Sequence, residues 1–338
     1  MKAIAHTAIR DIDDPRYLED LTLEPPTPGA HDLRVRVEAV AVNPIDLKVH
    51  GRRPASAESP VILGFDAAGV VESVGAAVAR FGVGDPVFYA GSVARSGCNA
   101  ELHCVDERLV GPKPTTLDFA DSAALALTGL TAWELLFDLM ALDDDAHSPA
   151  GPVLVLGGAG GVASMAVQLL AAFTDRTVIA TASQPDSAEH ARTLGAHHVI
   201  DYRQDYRDQL AAAGIDDVAA IFSTHTTAFA WENFARVIRP FGRIGFIDDP
   251  APLDVSLLKA RSVALYGEGM FNRSVFATDD MIRQHEILTR IARGIDGGNL
   301  KATTGQHFGT INAANLRAAH RHVAAGHARG KAVLSGFG

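Results

Sequence analysis

The clearest chemical signal in the sequence is a glycine turn in the stretch Gly151–Phe173, GPVLVLGGAGGVASMAVQLLAAF. It contains Gly158-x-Gly160-x-x-Ala163, the spacing of a turn that binds the pyrophosphate of a dinucleotide. Small residues at this spacing let the strand turn tightly, let the backbone approach the phosphates and let the next helix pack closely. The N-terminus of that helix then attracts an anion. We therefore predict that the cofactor-binding residues here are Gly158, Gly160, Gly161 and Val162.

A membrane span is the alternative interpretation of this stretch, because residues 146–174 contain no Lys, Arg, Asp or Glu. Four glycines near its centre and Gln168 in its second half argue against that interpretation. A strand buried on both faces, followed by a buried helix, accounts for the composition better.

Alternating strands and helices follow the turn and must position it. The strand-like runs are Val153–Leu156, Thr177–Thr181, His198–Asp201, Ala219–Ser223, Arg243–Ile247 and Val263–Tyr266. The helix-like runs are Asp186–Leu194, Gln204–Ala213 and Thr227–Ile238, and each precedes a glycine at the expected stop, Gly195, Gly214 or Gly242. This order predicts an α/β fold with a doubly wound parallel sheet.

The rest of the chain has a different pattern. Residues 1–125 are punctuated by glycines and predict a mostly antiparallel β domain, with Asp32–Val42 alternating as a half-buried strand. Ser122–Leu142 predicts a buried helix, Asp279–Ile295 and Asn312–Ala325 predict surface helices, and Lys331–Leu334 predicts a strand. We expect a catalytic domain at 1–125, a dinucleotide-binding domain at 126–272, and a return to the catalytic domain at 273–338.

Composition excludes several function classes. The 338 residues are 47% hydrophobic and 21% charged, which is ordinary for a soluble globular protein. The formal net charge is -10 and no basic patch is present, so nucleic acid is not an expected partner. The N-terminal residues MKAIAHTAIRD lack the apolar core that a signal peptide has, and the two cysteines imply no disulfide framework. We expect a cytoplasmic enzyme with no membrane partner.

The choice of cofactor depends on the end of the second strand after the turn. NAD sites place an acid about 20 residues past the fingerprint to bind the ribose 2′-hydroxyl. Here the strand runs into Ala182, Ser183 and Gln184. Ser183, with Tyr202, His190 or Arg192 nearby, would instead bind a 2′-phosphate, which favours NADPH. The alternative is that Asp186 does the work of the missing acid.

Four further motifs resemble those of the medium-chain dehydrogenase/reductases. They are Val42-Asn43-Pro44-Ile45-Asp46, Leu63-Gly64-Phe65-Asp66-Ala67-Ala68-Gly69-Val70-Val71, Leu127-Thr128-Gly129-Leu130-Thr131-Ala132 and Gly330-Lys331-Ala332-Val333-Leu334. The chain is most similar to the quinone oxidoreductase-like branch, in the zinc-type alcohol dehydrogenase-like subgroup. The resemblance covers essentially the whole chain. It implies a GroES-like catalytic domain, a Rossmann domain, hydride transfer from a nicotinamide and a homodimer.

Zinc is the property of this family that the sequence puts in doubt. In zinc-dependent relatives the catalytic metal needs a Cys and a His where this chain has Asn43 and Phe65. A neutral amide is a poor zinc ligand and a phenyl ring is none. Cys98 and Cys104, with His103 adjacent, do not form the four-cysteine set of the family's structural zinc. We predict that no zinc is bound.

The resemblance also suggests residues that contact the substrate, which without a metal would be a quinone or an α,β-unsaturated carbonyl. Candidate catalytic residues are Asn43, Asp46 and Tyr89; candidate pocket residues are Phe65 and Thr128 and, because they follow the sixth strand, Met270 and Phe271. Asp46 would pass a proton together with Lys48, or Lys48 would be only solvent-exposed surface. Asn43 would donate to the oxyanion, or would be only a turn residue before Pro44. Tyr89 would be an acid or an ordinary strand aromatic.

Further cofactor contacts are expected at the carboxyl ends of the strands, where ligands gather in such sheets. The candidates are Ser183, Tyr202, Ser223, Thr224, Ile247 and Asp248. The leading hypothesis is an NADPH-dependent, zinc-independent reductase of quinones or enones. A zinc-dependent alcohol dehydrogenase and an NADPH-binding protein with a structural or sensing role remain as alternatives.

Overall fold

The computed structural model describes residues 1–144, 146–326 and 329–338. The chain forms two compact units, one from Met1–Leu130 and Phe271–Gly338, the other from Thr131–Met270. We call them the catalytic unit and the nucleotide unit. The first boundary, after Leu130, falls five residues later than the sequence predicts, and the second, after Met270, falls two residues earlier.

The catalytic unit is built on a largely antiparallel sheet. In spatial order its strands are β15, β16, β3, β5, β6 and β8, and β7 also pairs with β3. A second, three-stranded sheet has the order β2, β1, β4. The strands are β1 (Lys2–His6), β2 (Glu19–Thr22), β3 (Asp32–Val42), β4 (Val61–Ile62), β5 (Ala67–Val74), β6 (Pro86–Tyr89), β7 (Leu102–Asp106), β8 (Val110–Pro112), β15 (Thr304–His307) and β16 (Lys331–Ser335).

Strand β3 organises this sheet and has the bounds that its alternating sequence predicts. Leu33, Val35 and Val37 are buried in the core, while Arg36 is exposed on the other face. The C-terminal strand β16 pairs antiparallel with β3, with Ala332 opposite Val42. The C-terminal part of the chain, which the sequence predicts to return to the first domain, thus lies in the same unit as residues 1–130. The helices of this unit are α1 (Pro44–Arg52), α2 (Phe119–Ala123), α9 (Asn272–Val275), α10 (Arg283–Asp296) and α11 (Ala313–Ala324), with a 3₁₀ turn at Glu107–Leu109.

The nucleotide unit contains the predicted doubly wound parallel sheet. Its strands are β9 (Val153–Val155), β10 (Val178–Thr181), β11 (His198–Ile200), β12 (Val218–Ser223), β13 (Ile238–Phe246) and β14 (Ala264–Gly267). Their spatial order is β11, β10, β9, β12, β13, β14, and all pairs are parallel. The helices are α4 (Gly161–Phe173), α5 (Pro185–Thr193), α6 (Tyr206–Ala212), α7 (Ala228–Val237) and α8 (Ser256–Lys259).

One predicted helix stop in this unit is wrong. Gly195 and Gly214 follow helices with positive φ, as predicted. Gly242 instead lies within β13, and the left-handed conformation belongs to Phe241, at φ 61°. Strand β13 begins at Ile238, directly after α7. The left-handed residue therefore interrupts a strand and does not end a helix.

The apolar segment that runs from the end of one unit into the start of the next is helical, as predicted, but it is divided. It comprises α2, then α3 (Ala126–Trp133), then a π-helical turn at Glu134–Leu139. By length and composition Phe119–Leu139 would suffice to cross a membrane, yet 89% of its apolar window is buried inside the protein. The stretch Gly151–Phe173, whose composition argues against a membrane span, forms β9 and the 13-residue helix α4.

Candidate functional site

The glycine turn joins β9 to α4 with the geometry of a phosphate-binding turn. Gly157 has φ 83°, Gly160 is the N-cap of α4, and Gly161 begins the helix. A Cβ on Gly158 would lie 3.1 Å from Ala180 Cβ, so this glycine provides close packing. A Cβ on Gly160 would meet only Gly157 O, at 3.5 Å. The space above Gly160 and the uncapped first turn of α4, which includes Val162, fit a pyrophosphate.

Side chains at the ends of the neighbouring strands hold this turn. Gly157 N donates to Thr181 Oγ1 at 3.1 Å, and Gly158 N donates to Thr181 O at 3.1 Å. On the other side Thr224 Oγ1 donates to Leu156 O at 3.1 Å. A Cβ on Gly157 would lie 2.4 Å from Thr224 Oγ1. Thr224, a predicted cofactor residue, is therefore placed directly against the turn.

The other predicted residues at these strand ends form a polar group after β12 and β13. Ser223 Oγ lies 2.9 Å from Thr226 Oγ1. Asp248 accepts from Thr226 N at 2.6 Å and from Thr226 Oγ1 at 2.9 Å. Ile247 N donates to Ser223 O at 3.2 Å. Ser223, Ile247 and Asp248 are thus brought together at the carboxyl edge of the sheet.

A third group lies past β10, where the 2′-phosphate was predicted to bind. Ser183 Oγ donates to Tyr202 Oη at 3.1 Å, which brings the two predicted residues together. Arg203 Nη2 donates to Ser183 O at 3.2 Å, and Asp201 orients the guanidinium by bonds of 2.7 to 3.2 Å. Sequence reasoning missed Arg203. The sequence does contain a sign of it, because Arg203 is a basic residue directly after the predicted site residue Tyr202, past the end of the third strand.

In the catalytic unit, Asn43 lies in a buried polar network. Asn43 Nδ2 donates to Asp66 Oδ2 at 2.8 Å and weakly to Ala41 O at 3.5 Å. Lys331 Nζ donates to Asn43 Oδ1 and to Val42 O, and lies 3.0 Å from Asp66 Oδ2. Asp66 is 0% exposed, Asn43 2% and Lys331 5%. Asp66 and Lys331, also absent from the predicted set, therefore fix the amide of Asn43.

Asp46 belongs to the same region, in the first turn of α1. One carboxylate oxygen accepts from Asn43 N at 2.8 Å and the other from Gly64 N at 3.0 Å. Burial raises the pKa of Asp46 to about 7, against the opposing effects of those two N–H groups and of the Lys331 charge. Asp46 thus joins the start of α1 to the loop before β5. The predicted relay with Lys48 stays a prediction.

Tyr89 is fully buried at the end of β6. Its hydroxyl lies 3.1 Å from His103 Nδ1, and His103 Nε2 lies 3.0 Å from Ser96 O. Burial lowers the pKa of His103 to about 4, so the ring is neutral at pH 7, and burial raises the pKa of Tyr89 well above its usual range. In this arrangement Tyr89 and His103 connect β6, β7 and the loop at Ser96.

The aromatic pocket residues are partly assembled within the catalytic unit. The rings of Phe65 and Phe271 meet edge to face, with centroids 5.6 Å apart and an interplanar angle of 71°. Thr128, in the first turn of α3, is buried, and its Oγ1 donates a hydrogen bond to Ala124 O at 3.2 Å. Met270, the last residue of the nucleotide unit, is 4% exposed.

The donor groups at the predicted metal position do not suit zinc. Among residues 1–144, 146–326 and 329–338, no group of three or more His, Cys, Asp or Glu side chains could hold a metal ion. Cys98 Sγ donates to Asp66 O at 3.5 Å, and Cys104 Sγ lies 3.8 Å from Pro26 O. Burial raises the pKa of both thiols, in Cys104 to about 11, which disfavours the thiolate that zinc requires. The absence of zinc stays a prediction.

Two family models match the chain. The alcohol dehydrogenase GroES-like domain matches residues 29–115, and the zinc-binding dehydrogenase model matches residues 194–334.

Known proteins match over nearly the full length. A zinc-type alcohol dehydrogenase-like protein of Staphylococcus epidermidis is 35% identical over 99% of both chains. A crystal structure assigned as a zinc-dependent alcohol dehydrogenase from Rhizobium etli CFN 42 is 46% identical and superimposes with a TM-score of 0.97, covering 100% of this chain and 98% of the other. A mycobacterial protein solved in complex with NADPH is 25% identical, with a TM-score of 0.82 and coverage of 99% and 100%.

Proposed function

The chain belongs to the medium-chain dehydrogenase/reductase superfamily of oxidoreductases, and we propose that it is an NADPH-dependent, zinc-independent reductase of quinones or α,β-unsaturated carbonyls. The observation that carries the proposal is the contrast between its two sites. Hydrogen-bond donors surround the expected 2′-phosphate position, whereas the expected metal position holds an amide and a phenyl ring.

The cofactor preference follows from charge. Ser183, Tyr202 and Arg203 offer two hydroxyls and a guanidinium to a phosphate, and a guanidinium is well suited to that group. The acid after β11, Asp201, is engaged by Arg203. The mycobacterial neighbour was solved with NADPH, which supports the same choice. When bound, a reduced nicotinamide supplies the hydride.

The substrate class follows from the absence of metal ligands in the donor set. Oxidising a simple alcohol requires stabilisation of an alkoxide, which zinc normally provides. Asn43 and Phe65 cannot hold a zinc ion that would stabilise such an alkoxide. Hydride addition to a conjugated carbonyl or a quinone places negative charge on an oxygen that hydrogen-bond donors can stabilise. Phe65 and Phe271 give an apolar, aromatic surface that suits a flat substrate.

Asn43 is the donor that we propose for that oxygen. One hydrogen of its amide is held by Asp66, while the other reaches Ala41 O only at 3.5 Å, at the limit of a hydrogen bond. That second hydrogen can be redirected to an oxyanion at little cost. Asp46 and Tyr89 are bound to backbone N–H groups and to His103 respectively, and we propose that they position the site.

The direct test is the oxidation of NADPH against a panel of quinones, enals and enones, with NADH as the cofactor control. We expect turnover with at least one acceptor and a preference for NADPH. Turnover with NADH alone would contradict the cofactor assignment, and no turnover across the panel would favour an NADPH-binding protein with a structural or sensing role.

A zinc-dependent alcohol dehydrogenase is the second candidate, because the similar structure from Rhizobium etli carries that description. Elemental analysis of purified protein distinguishes the two proposals. Stoichiometric zinc, together with loss of activity in a chelator and recovery on adding zinc, would establish the second candidate. The homodimer and the cytoplasmic location also stay predictions, which light scattering and cell fractionation would test.

A further inference from the structure

We propose that the buried ion pair between Lys331 and Asp66 is the positioning device of this site: it fixes which way the amide of Asn43 points. The inference rests on the proposed function, in which Asn43 donates to the substrate oxygen. It assigns roles to two residues, one of them in the last strand of the fold.

The three side chains come from distant parts of the sequence. Asn43 follows β3, Asp66 precedes β5, and Lys331 begins β16, so the pairing of β3 with β5 and β16 brings them together. Lys331 Nζ contacts Val42 O at 2.8 Å, Asp66 Oδ2 at 3.0 Å and Asn43 Oδ1. All three residues are at least 95% buried.

The ion pair determines the orientation of the amide because the two ends of a carboxamide have opposite hydrogen-bonding roles. Asn43 Oδ1 faces the ammonium, and Asn43 Nδ2 faces the carboxylate. Rotating the amide by 180° would place its oxygen against Asp66 and its NH₂ group against Lys331. Both contacts would be repulsive, so the NH₂ group is held on the Asp66 side.

The same carboxylate extends this control to a second predicted site residue. Asp66 Oδ1 accepts from Leu127 N at 2.7 Å, in the first turn of α3. Thr128 is the next residue in that turn. Asp66 therefore sets the position of the α3 N-terminus and the direction of Asn43 through its two oxygens.

The energetics favour a functional explanation over a purely structural one. Replacing a buried ion pair by apolar residues is often neutral or stabilising, so stability alone does not require such a pair. Here Lys331 is the ammonium beside two buried carboxylates, Asp46 and Asp66, and the Cys98 thiol donates to the Asp66 carbonyl. Removing the ammonium would favour protonation of both acids.

The experiment compares Lys331→Met, Lys331→Arg and the double variant Asp66→Asn/Lys331→Met in the full-length protein. The double variant removes both charges, and its residue 66 can place an NH₂ group against Asn43, which disfavours the native amide direction. For each protein, thermal stability, kcat, KM for NADPH and the pH dependence of kcat are measured with the best acceptor of the panel.

We expect Lys331→Met to lower kcat at least tenfold, to leave KM for NADPH within about twofold, and to move the acidic limb of the kcat profile to higher pH. The double variant should regain thermal stability but not kcat, and Lys331→Arg should regain part of kcat. Lys113→Met, which changes another partly buried lysine of the same unit, is the matched control and should leave kcat unchanged.

Recovery of both stability and kcat in the double variant would overturn the inference, because the pair would then be structural only. An NMR measurement keeps this test separate from the proposed function. The side-chain amide resonances of Asn43, assigned by their loss in Asn43→Ser, should shift in Lys331→Met and in the double variant. Unchanged resonances would refute the inference even if the wild-type protein turned over no acceptor.

Discussion

The cofactor-binding edge of the nucleotide unit and the polar network of the catalytic unit are built in opposite ways. The first is made of backbone amides, a glycine turn and uncharged or solvent-facing side chains, among them Tyr202, which is 45% exposed. The second is made of side chains with charges buried among apolar residues, with Asp66 fully enclosed. The comparison teaches that a side-chain change at the cofactor edge has a local effect, while a change in the network alters turnover, stability and the pH dependence of turnover together.

The largest expected effect is the loss of Asp66. Asp66→Ala leaves the Lys331 ammonium buried without its carboxylate and should lower the free energy of unfolding by about 3–5 kcal/mol. Urea unfolding of wild type and variant measures this. Asp201→Ala, which breaks the exposed pair with Arg203 in the nucleotide unit, is the control and should change stability far less. Equal losses in the two variants would remove the distinction drawn between the regions.

Acid should destabilise the catalytic unit through a buried histidine cluster. His320 and His50 pack on Tyr17, whose hydroxyl lies 3.1 Å from His320 Nδ1. Burial lowers the pKa of His320 to about 3 and that of His50 to about 4, so the folded state binds fewer protons than the unfolded state.

Stability from these histidines is therefore complete above pH 6.5 and is lost as the pH falls. His320 alone accounts for about 3 kcal/mol between pH 6.5 and pH 4. Unfolding monitored by circular dichroism at several pH values measures the slope, which His320→Gln should reduce. A slope that is the same in wild type and His320→Gln would exclude this histidine as the cause.

Two glycines of the cofactor turn should respond differently to the same substitution. Gly157→Ala places a Cβ at φ 83° and against Thr224, and should cost about 1–2 kcal/mol of stability as well as NADPH affinity. Gly160→Ala meets only Gly157 O at 3.5 Å, so it should keep stability and lose affinity. Thermal unfolding and NADPH titration measure the two effects. Loss of stability in Gly160→Ala would mean that this position is not the open side of the turn.

The smallest expected effect concerns Arg203. Arg203→Gln removes the guanidinium beside Ser183 and should raise KM for NADPH about tenfold while leaving KM for NADH unchanged. Arg192→Gln is the matched control, because Arg192 pairs with Glu189 on α5. Steady-state kinetics of both variants, with NADPH and with NADH, measure these KM values. A larger effect from Arg192 would place the 2′-phosphate on α5.

The two regions also differ in how much of them the sequence predicts. The glycine turn, the parallel sheet and the bounds of β3 are local patterns, so they were predicted correctly. The sequence does not predict the Lys331–Asp66 pair, because the two residues are 265 positions apart and a lysine at the start of a strand gives no local sign of burial. The prediction that Gly242 ends a helix is wrong because glycine is common both after helices and at irregular points within strands.

The most direct test of the proposed function is the cofactor preference of metal-free enzyme. The protein would be treated with a chelator, shown by elemental analysis to contain no zinc, and assayed with NADPH and NADH against the best enone or quinone acceptor. We predict undiminished turnover, with kcat/KM at least about tenfold higher for NADPH, since a charged contact to the 2′-phosphate is available only with that cofactor. Activity that returns only on adding zinc, or that is faster with NADH, would contradict the account.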